Sequence, residues 1–385
     1  MNIQKTAAEE ALGFMLPTRK VESFHYTDLR TMLRELPAEA VGNGGKTAYE
    51  PLVETHLVSF VDGKLSGEQI LPSGVMMSTD AQKANSVDIN DAIIAMNAAT
   101  AGDAVEFVIS GNATTEKPLG LGHVSTAASR SGTYHKVTVK AGSEAHVVER
   151  HTSAEGVASL ATTVSELVLE KGAKAVWFII QQENEHASRL ARLNVTLAQD
   201  TDLSVFVLNA GGKLVRQEIK VAVNGENANL ALRGVNLVGD GAHIDVTTVL
   251  EHNVPNTNAE ELFRNVVAGD GHGVFQGQIK VAQIAQKTDA QMACNTLLLT
   301  DEGDFSAKPE LEIFADDVIC AHGATVTDID DEQMFYLMAR GIDPKTARSL
   351  LIKAFVDEVV EELEPGDVME EALTGIIDSW LDKNI

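Results

Sequence analysis

Two cysteines, Cys294 and Cys320, are all that 385 residues contain, too few for the disulfide framework of a small exported domain. Basic residues are scarce too, with 30 lysines and arginines against 56 aspartates and glutamates and a formal charge of −26. A field of that sign repels phosphate backbones, so nucleic acid is not an expected partner. No stretch reaches the ~18 uninterrupted apolar residues of a membrane helix. The opening MNIQKTAAEEALGF has no basic start leading into an apolar run of ~7–15 residues, as an export signal would. The expectation is a soluble cytoplasmic protein, not membrane-bound, with reduced thiols. Aromatics make up 5 % of the chain and include two tryptophans, Trp177 and Trp380, which leaves little to stack on sugars.

Catalytic signatures are missing as well. There is no G-x-S-x-G elbow, H-E-x-x-H helix or G-x-G-x-x-G strand-to-helix turn, and GDGHGVFQG has the wrong spacing and neighbours. Glu39–Thr47 ends in Gly45-Lys46-Thr47 like a phosphate loop, but Ala40 stands where the first glycine belongs. With no strand before it and no apolar helix after it, the segment reads as a linker, and any ATP chemistry falls to a partner.

What the chain does have is many short strand patterns. From about residue 100 to 315, runs such as AVEFVI, HKVTVKAG, KAVWFII, LSVFVLN and QIKVAQI alternate with Gly, Asn or Asp breaks. No helical pattern of ~10–15 residues separates them, which excludes a doubly wound α/β sheet and leaves a sandwich, barrel or solenoid. The recurring polar corners EKGAKA, AQDTDLS, NGENANL and GDGAHI favour stacked turns. A solenoid needs capped ends, and helical segments lie at both ends of the chain. Near the start, Thr27 or Asp28 can cap LRTMLREL. Near the end, Gly341 can stop DEQMFYLMAR, and Asp343-Pro344 can start a helix in which Ala347, Leu350, Leu351, Ala354, Phe355, Val359, Val360 and Leu363 form a stripe for core or partner packing. VMEEALTGIIDSWLDKN reads as one more amphipathic helix.

Cys320 and His322 attract attention because they flank one residue where strands give way to helices. On a strand both side chains face one way, with α-carbons about 7 Å apart. A thiolate and an imidazole there suit iron or zinc, yet a closed structural site wants four ligands. Two readings stay open: a buried Cys beside a hydrogen-bonded His, or half of a site completed by a second protein. Cys294, flanked by apolar residues, reads as a buried inert thiol. His252 and His272 read as structural, and Asp316 and Asp317 as turn residues on opposite faces.

Several motifs together resemble the SufB/SufD family of iron–sulfur cluster assembly proteins. They are Arg264, Gly273-Val274-Phe275-x-Gly277, Gln286-Lys287-Thr288-Asp289-Ala290, Pro309-x-Leu311-Glu312-Ile313, Ala315-Asp316-Asp317-Val318, His322-Gly323-Ala324-Thr325, Phe335-Tyr336-Leu337 and Arg340-Gly341. PTRKVESFHYTDL adds a weaker echo. The HGAT form and the absence of an N-terminal cysteine cluster resemble the SufD branch. Ala321 replaces the usual serine, Thr327 a common glycine and Phe24 a frequent tryptophan; a threonine at 327 resists positive φ.

The resemblance implies a mainly β chain: a right-handed parallel β-helix core over 96–327, a helical or mixed region over 1–95, and a C-terminal helical domain over 328–385. It implies a non-catalytic scaffold subunit that pairs with a SufB-like paralogue and docks a SufC-like ABC-type ATPase through Phe335, Tyr336, Arg340, Leu351 and Phe355. His322 is implied as an iron or cluster ligand, with Cys320 as a supporting thiol at the partner interface. The cluster or iron would be transient, shared with the partner and not held stably by the isolated chain. A sulfur donor would act indirectly, and the isolated chain could pair with itself. A carbohydrate-active β-solenoid enzyme working alone is the alternative.

Overall fold

The computed structural model describes residues 5–40, 49–100, 102–361 and 366–385. Among these residues the strands are, in chain order, β1 (Ala38–Glu39), β2 (His56–Val61), β3 (Lys64–Ser66), β4 (Val75–Ser78), β5 (Ala104–Ile109), β6 (Leu119–Ser125) and β7 (Ser129–Val139). There follow β8 (Glu144–Ser153), β9 (Leu160–Leu169), β10 (Lys174–Gln182), β11 (Ser188–Leu197), β12 (Asp202–Asn209), β13 (Leu214–Val223) and β14 (Asn229–Val238). The last are β15 (His243–His252), β16 (Asn258–Val267), β17 (His272–Val281), β18 (Asp289–Leu298), β19 (Asp304–Ile313) and β20 (Ile319–Thr327). Helices are α1 (Ala7–Leu12), α2 (Leu29–Met32), α3 (Ala92–Ala99), α4 (Asp331–Ala339), α5 (Pro344–Glu361) and α6 (Asp367–Asn384).

From β5 onward, odd strands pair in parallel in one sheet and even strands in the other, so the chain winds as a parallel β-solenoid of about eight turns. Antiparallel β4 and β3 begin the two sheets, so residues before 95 already contribute strands to them. The repeat shows most clearly in one corner. Gly142, Gly172, Asp200, Asn227, Asn256 and Lys287 all have φ between 58° and 68° and recur every 27–31 residues. Each donates its backbone N–H to a carbonyl in the next turn's corner, as Asp200 does to Glu226 at 2.9 Å. Gly, Asn and Asp accept the left-handed conformation at least cost, which is why the breaks in the sequence carry them.

Alternate residues of both sheets point into a lumen packed with Phe107, Leu121, Val147, Trp177, Val205, Leu232, Phe263 and Phe275. Down one edge of that lumen runs an amide ladder, Asn209 donating to Asn236 and Asn236 to Asn265, each at 2.8 Å. Asn265 continues it to Thr296 at 3.2 Å.

The helices do not cap the solenoid ends as expected. α1, α3 and the segment around Phe24 bury Ala8, Leu16, Ile93 and Met96 against Tyr134, Leu160, Val164 and Leu190 on the outside of the odd-strand sheet. α5 and α6 bury Ile352, Val356, Leu373, Ile377 and Trp380 against Phe178, Phe206, Val235 and Leu297 on the outside of the even-strand sheet. Both outer faces carry apolar columns that require cover, and the helices satisfy that demand first. The buried stripe of α5 is therefore Ala347, Ile352, Val356, Val359 and Val360. Leu350 is exposed, Ala354 is exposed, and Leu351 and Phe355 are half-buried, because apolar residues occupy more than one face of this helix and only packing selects among them. Leu363 lies outside the described residues.

Local signals fare better. Asp28, not Thr27, caps α2, accepting from the Thr31 N–H at 2.8 Å, although that helix is only four residues long. Thr27 instead bonds His243 Nε2 at 2.9 Å. Gly341 follows α4 with φ 85°, and Asp343 accepts from the Thr346 N–H at 3.1 Å at the start of α5. β1, pairing with β7, is a strand just before the glycine-rich 41–48, where none was expected; Gly45-Lys46-Thr47 falls outside the described residues. Phe24 is fully buried beneath the Arg216 guanidinium, 4.2 Å from the ring centroid. Thr327 ends β20 without positive φ, so no conflict arises there.

Candidate functional site

The last turn is where the solenoid is left open. Among the described residues β19 pairs only with β17 and β20 only with β18, so both terminal strands present an unpaired edge. Such an edge is a template for pairing with another chain unless charges, proline or a bulge guard it. β19 is guarded, carrying Lys308, Pro309, Glu310 and Glu312. β20 reads ICAHGATVT and has neither charge nor proline, in a chain where acidic residues abound. Around it Phe314, Ile319 and Val326 are exposed at 67, 66 and 45 %.

Cys320 and His322 sit on this strand. Cys320 is in register with Ala290 and His322 with Met292 on β18, and both of those residues are buried in the lumen. Paired residues in a parallel sheet share a face, so Cys320 and His322 occupy the lumen face of a turn that has no following turn to cover it. Cys320 is half-buried and His322 exposed. Partial burial raises the Cys320 thiol above its ordinary pKa, a backbone hydrogen bond from Ala290 opposes the shift, and the Asp289 charge adds to it. The thiol is therefore protonated at neutral pH and is not an activated nucleophile.

Beneath His322, the same inward column runs through Met292 to Glu261 and Leu232. Glu261 is fully buried, and desolvation pushes its carboxyl up to about 7. Thr248 on the opposite sheet offsets part of the effect, yet neither carboxyl oxygen reaches full hydrogen-bond geometry. Composition offered no hint of this group, because a Glu between Glu260 and Leu262 reads as surface. Cys294 is buried, its thiol pushed up to about 12 by desolvation. His252 bonds Thr257 at 2.8 Å, and His272 pairs with Asp304 at 2.9 Å.

The remaining sequence motifs frame this end. Gln286 accepts from the Asp317 N–H at 2.8 Å and Lys287 ion-pairs with Asp317, locking the Asp316–Asp317 corner that delivers β20. A Cβ on Gly277 would lie 2.5 Å from Met292 Sδ and one on Gly273 2.5 Å from the Phe305 ring, so both glycines make room under the last turns. Arg264 hydrogen-bonds Asn295, ion-pairs with Glu358 of α5 and stacks 5.1 Å over Phe355. Of the five residues implied for ATPase docking, Phe335 and Tyr336 on α4 are exposed at 73 and 56 %. Arg340 covers the Tyr336 ring at 4.5 Å, whereas Phe355 packs partly into the core.

The sequence matches the family model for "SUF system FeS cluster assembly, SufBD core domain" over residues 123–355, more than half of the chain. The chain belongs to the SufBD family. It is 29 % identical over 381 residues to the iron–sulfur cluster assembly protein SufD of Escherichia coli K12, covering 96 % of this chain and 90 % of that protein. Protein ABCI7, chloroplastic, of Arabidopsis thaliana is 27 % identical over 96 % of this chain and 84 % of its own. The SufBD family protein ML0594 of Mycobacterium leprae is 25 % identical over 94 % of this chain and 90 % of its own. The protein is thus a SufD-like iron–sulfur cluster assembly protein of the SUF system, from a family of assembly scaffolds. No described helix is long and apolar enough to cross a membrane.

Against the carbohydrate-enzyme alternative, Trp177 is buried in the lumen and Trp380 is buried between α6 and the even-strand sheet. The open groove on the even-strand sheet is lined by Asp202, Asn229, Asn258 and Glu260. Asp202 is there tied to Asn229 at 2.7 Å and to Lys174 at 3.4 Å, a side-chain ladder and not a free acid.

Proposed function

We propose that this SufBD chain is a non-catalytic scaffold subunit whose open solenoid end forms half of a cluster assembly site. The unguarded β20 edge carries the reading. A SufB-like paralogue with a matching open end would add its own strand to β20 across a pseudo-two-fold, with main-chain hydrogen bonds supplying affinity. Pairing there would cover the exposed Phe314, Ile319 and Val326 and bring the partner's groups onto Cys320 and His322. His322 would ligate iron or the nascent cluster, and Cys320 would become a thiolate as the metal arrives. The iron and sulfide are cargo, built up transiently and passed on, with a separate sulfur donor feeding the complex.

α4 is the docking surface for a SufC-like ATPase in this reading. None of its residues is fully buried, and it presents Phe335 and Tyr336, aromatic anchors of the kind that dominate interfaces. ATP hydrolysis belongs to that partner. Anaerobic reconstitution with iron and sulfide tests the proposal, comparing this chain alone with the chain co-expressed with SufB- and SufC-like proteins. Cluster absorbance that needs both the partners and His322 is expected. Undiminished absorbance in the complex of His322→Ala would remove this residue from the mechanism.

A further inference from the structure

A second group of ligand-type side chains lies at the other end of the lumen, in the first turns. We propose that His123 on β6, His135 on β7 and Glu149 on β8 bind a single divalent transition ion of the borderline class, such as Zn²⁺ or Fe²⁺. One ligand atom from each residue lies within 4.8 Å of the others, and all three are at most 5 % exposed. Tetrahedral coordination at 2.0–2.1 Å places ligand atoms about 3.4 Å apart, so loading requires a closure of up to about 1.4 Å by side-chain rotation.

The hydrogen bonding among the described residues leaves nitrogen atoms available to a metal. His123 Nε2, His135 Nε2 and, beside them, His151 Nδ1 are buried with no partner. Three orphaned imidazole nitrogens at one place are unusual, since buried polar atoms nearly always find a hydrogen-bond partner. The outer bonds already suit ligation. His135 Nδ1 lies 3.4 Å from Ser165 Oγ, which leaves Nε2 as the lone pair when the hydroxyl accepts. His151 Nε2 contacts Glu149 Oε1 at 3.0 Å and the Trp177 indole N–H donates to Glu149 Oε2 at 3.1 Å. The Phe60 ring is parallel to that of His123 within 7°, centroids 5.0 Å apart, and the two imidazoles of His123 and His151 stack at 4.4 Å.

Burial disfavours the charged form of every group here: it lowers the His123, His135 and His151 imidazoles and raises the Glu149 carboxyl, so a metal would have to displace any proton held by Glu149. Arg189, which adds to the imidazole shifts, is itself neutralised by Glu183 through bonds of 2.8 and 2.9 Å. Adjacent to His123 a cavity of 10 Å³, lined by Phe60, Thr133, Thr163 and Arg189, has room for about one water to complete the coordination. His151 is the alternative fourth ligand.

Co²⁺ alone, supplied during expression and again after chelator treatment of the full chain, tests the site. The expected result is about one Co²⁺ per chain with visible ligand-field bands of a nitrogen/oxygen set. His123→Gln and His135→Gln should abolish the bands, and Trp177→Phe should lower affinity about 10–100-fold. Glu149→Gln is nearly isosteric and guards against loss of fold; with an unchanged circular dichroism spectrum it should still bind at least about tenfold more weakly. His322→Ala should leave the bands intact. Absence of bands in the unaltered protein, their persistence in Glu149→Gln and both histidine variants, or their loss with His322→Ala would each overturn the proposal.

Discussion

Replacing Glu261 by glutamine should change how the stability of this protein depends on pH. The carboxyl is sealed between Leu232 and Met292 in the lumen column beneath His322, and burial moves it from 4.5 to about 7. In the unfolded chain the same group titrates near its ordinary value. Folding therefore favours the protonated acid: the contribution is full below pH 4.5 and is lost as pH rises through about 7. At 1.36 kcal/mol per pKa unit the loss is about 3 kcal/mol by pH 8. Glutamine cannot ionise and occupies nearly the same volume. Denaturant unfolding at pH 5 and pH 8 should show the variant gaining about 3 kcal/mol relative to the parent at the higher pH and little at the lower. Equal pH dependence of the two proteins would refute the argument and show that water or a rearranged Thr248 solvates the carboxylate in the folded state.

Ala321→Lys places a charge on the exposed face of β20 without touching the lumen, and should weaken strand pairing with a partner or a second copy at least about tenfold, read by analytical ultracentrifugation, while the thermal midpoint stays within a degree or so. An unchanged assembly would mean that β20 is not the pairing edge. Asn236→Ala breaks the amide ladder on both sides, stranding the Asn209 donor and the Asn265 acceptor. It should cost about 1–3 kcal/mol, visible as a lower denaturant midpoint at constant slope; no shift would show that the ladder is replaceable by water.

The family motifs were legible as a set, yet most of them turn out to build the scaffold. Gly273 and Gly277 clear space for Phe305 and Met292, Gln286 and Lys287 lock a corner, and Arg264 clamps α5. They shape the turns beneath β20 and the contact with α5. The apolar residues of α5, readable as a stripe for core or partner packing, divide between a buried and an exposed set because they lie on several faces, and a single helix cannot tell which face a sheet will cover. End-capping failed as an expectation for a related reason: the apolar outer columns of both sheets compete for the same helices. Glu261, His123, His135 and Glu149 gave no local signal, since a charged or polar residue inside a strand reads as solvent-facing until the opposite sheet is in place.

What the sequence by itself determined is everything that rests on neighbours within a few residues. Strand alternation, Gly, Asn and Asp at the left-handed corners, the caps of α2 and α5 and the stop after α4 are local steric and hydrogen-bonding preferences, so they are readable without a fold. Tertiary structure decided which residues meet across turns some 27–31 residues apart. That register set His322 above Met292 and Glu261, gathered three histidines and a glutamate from three strands, and left one uncharged edge uncovered. Burial and pairing over such separations depend on the path of the whole chain, and no window of sequence contains them.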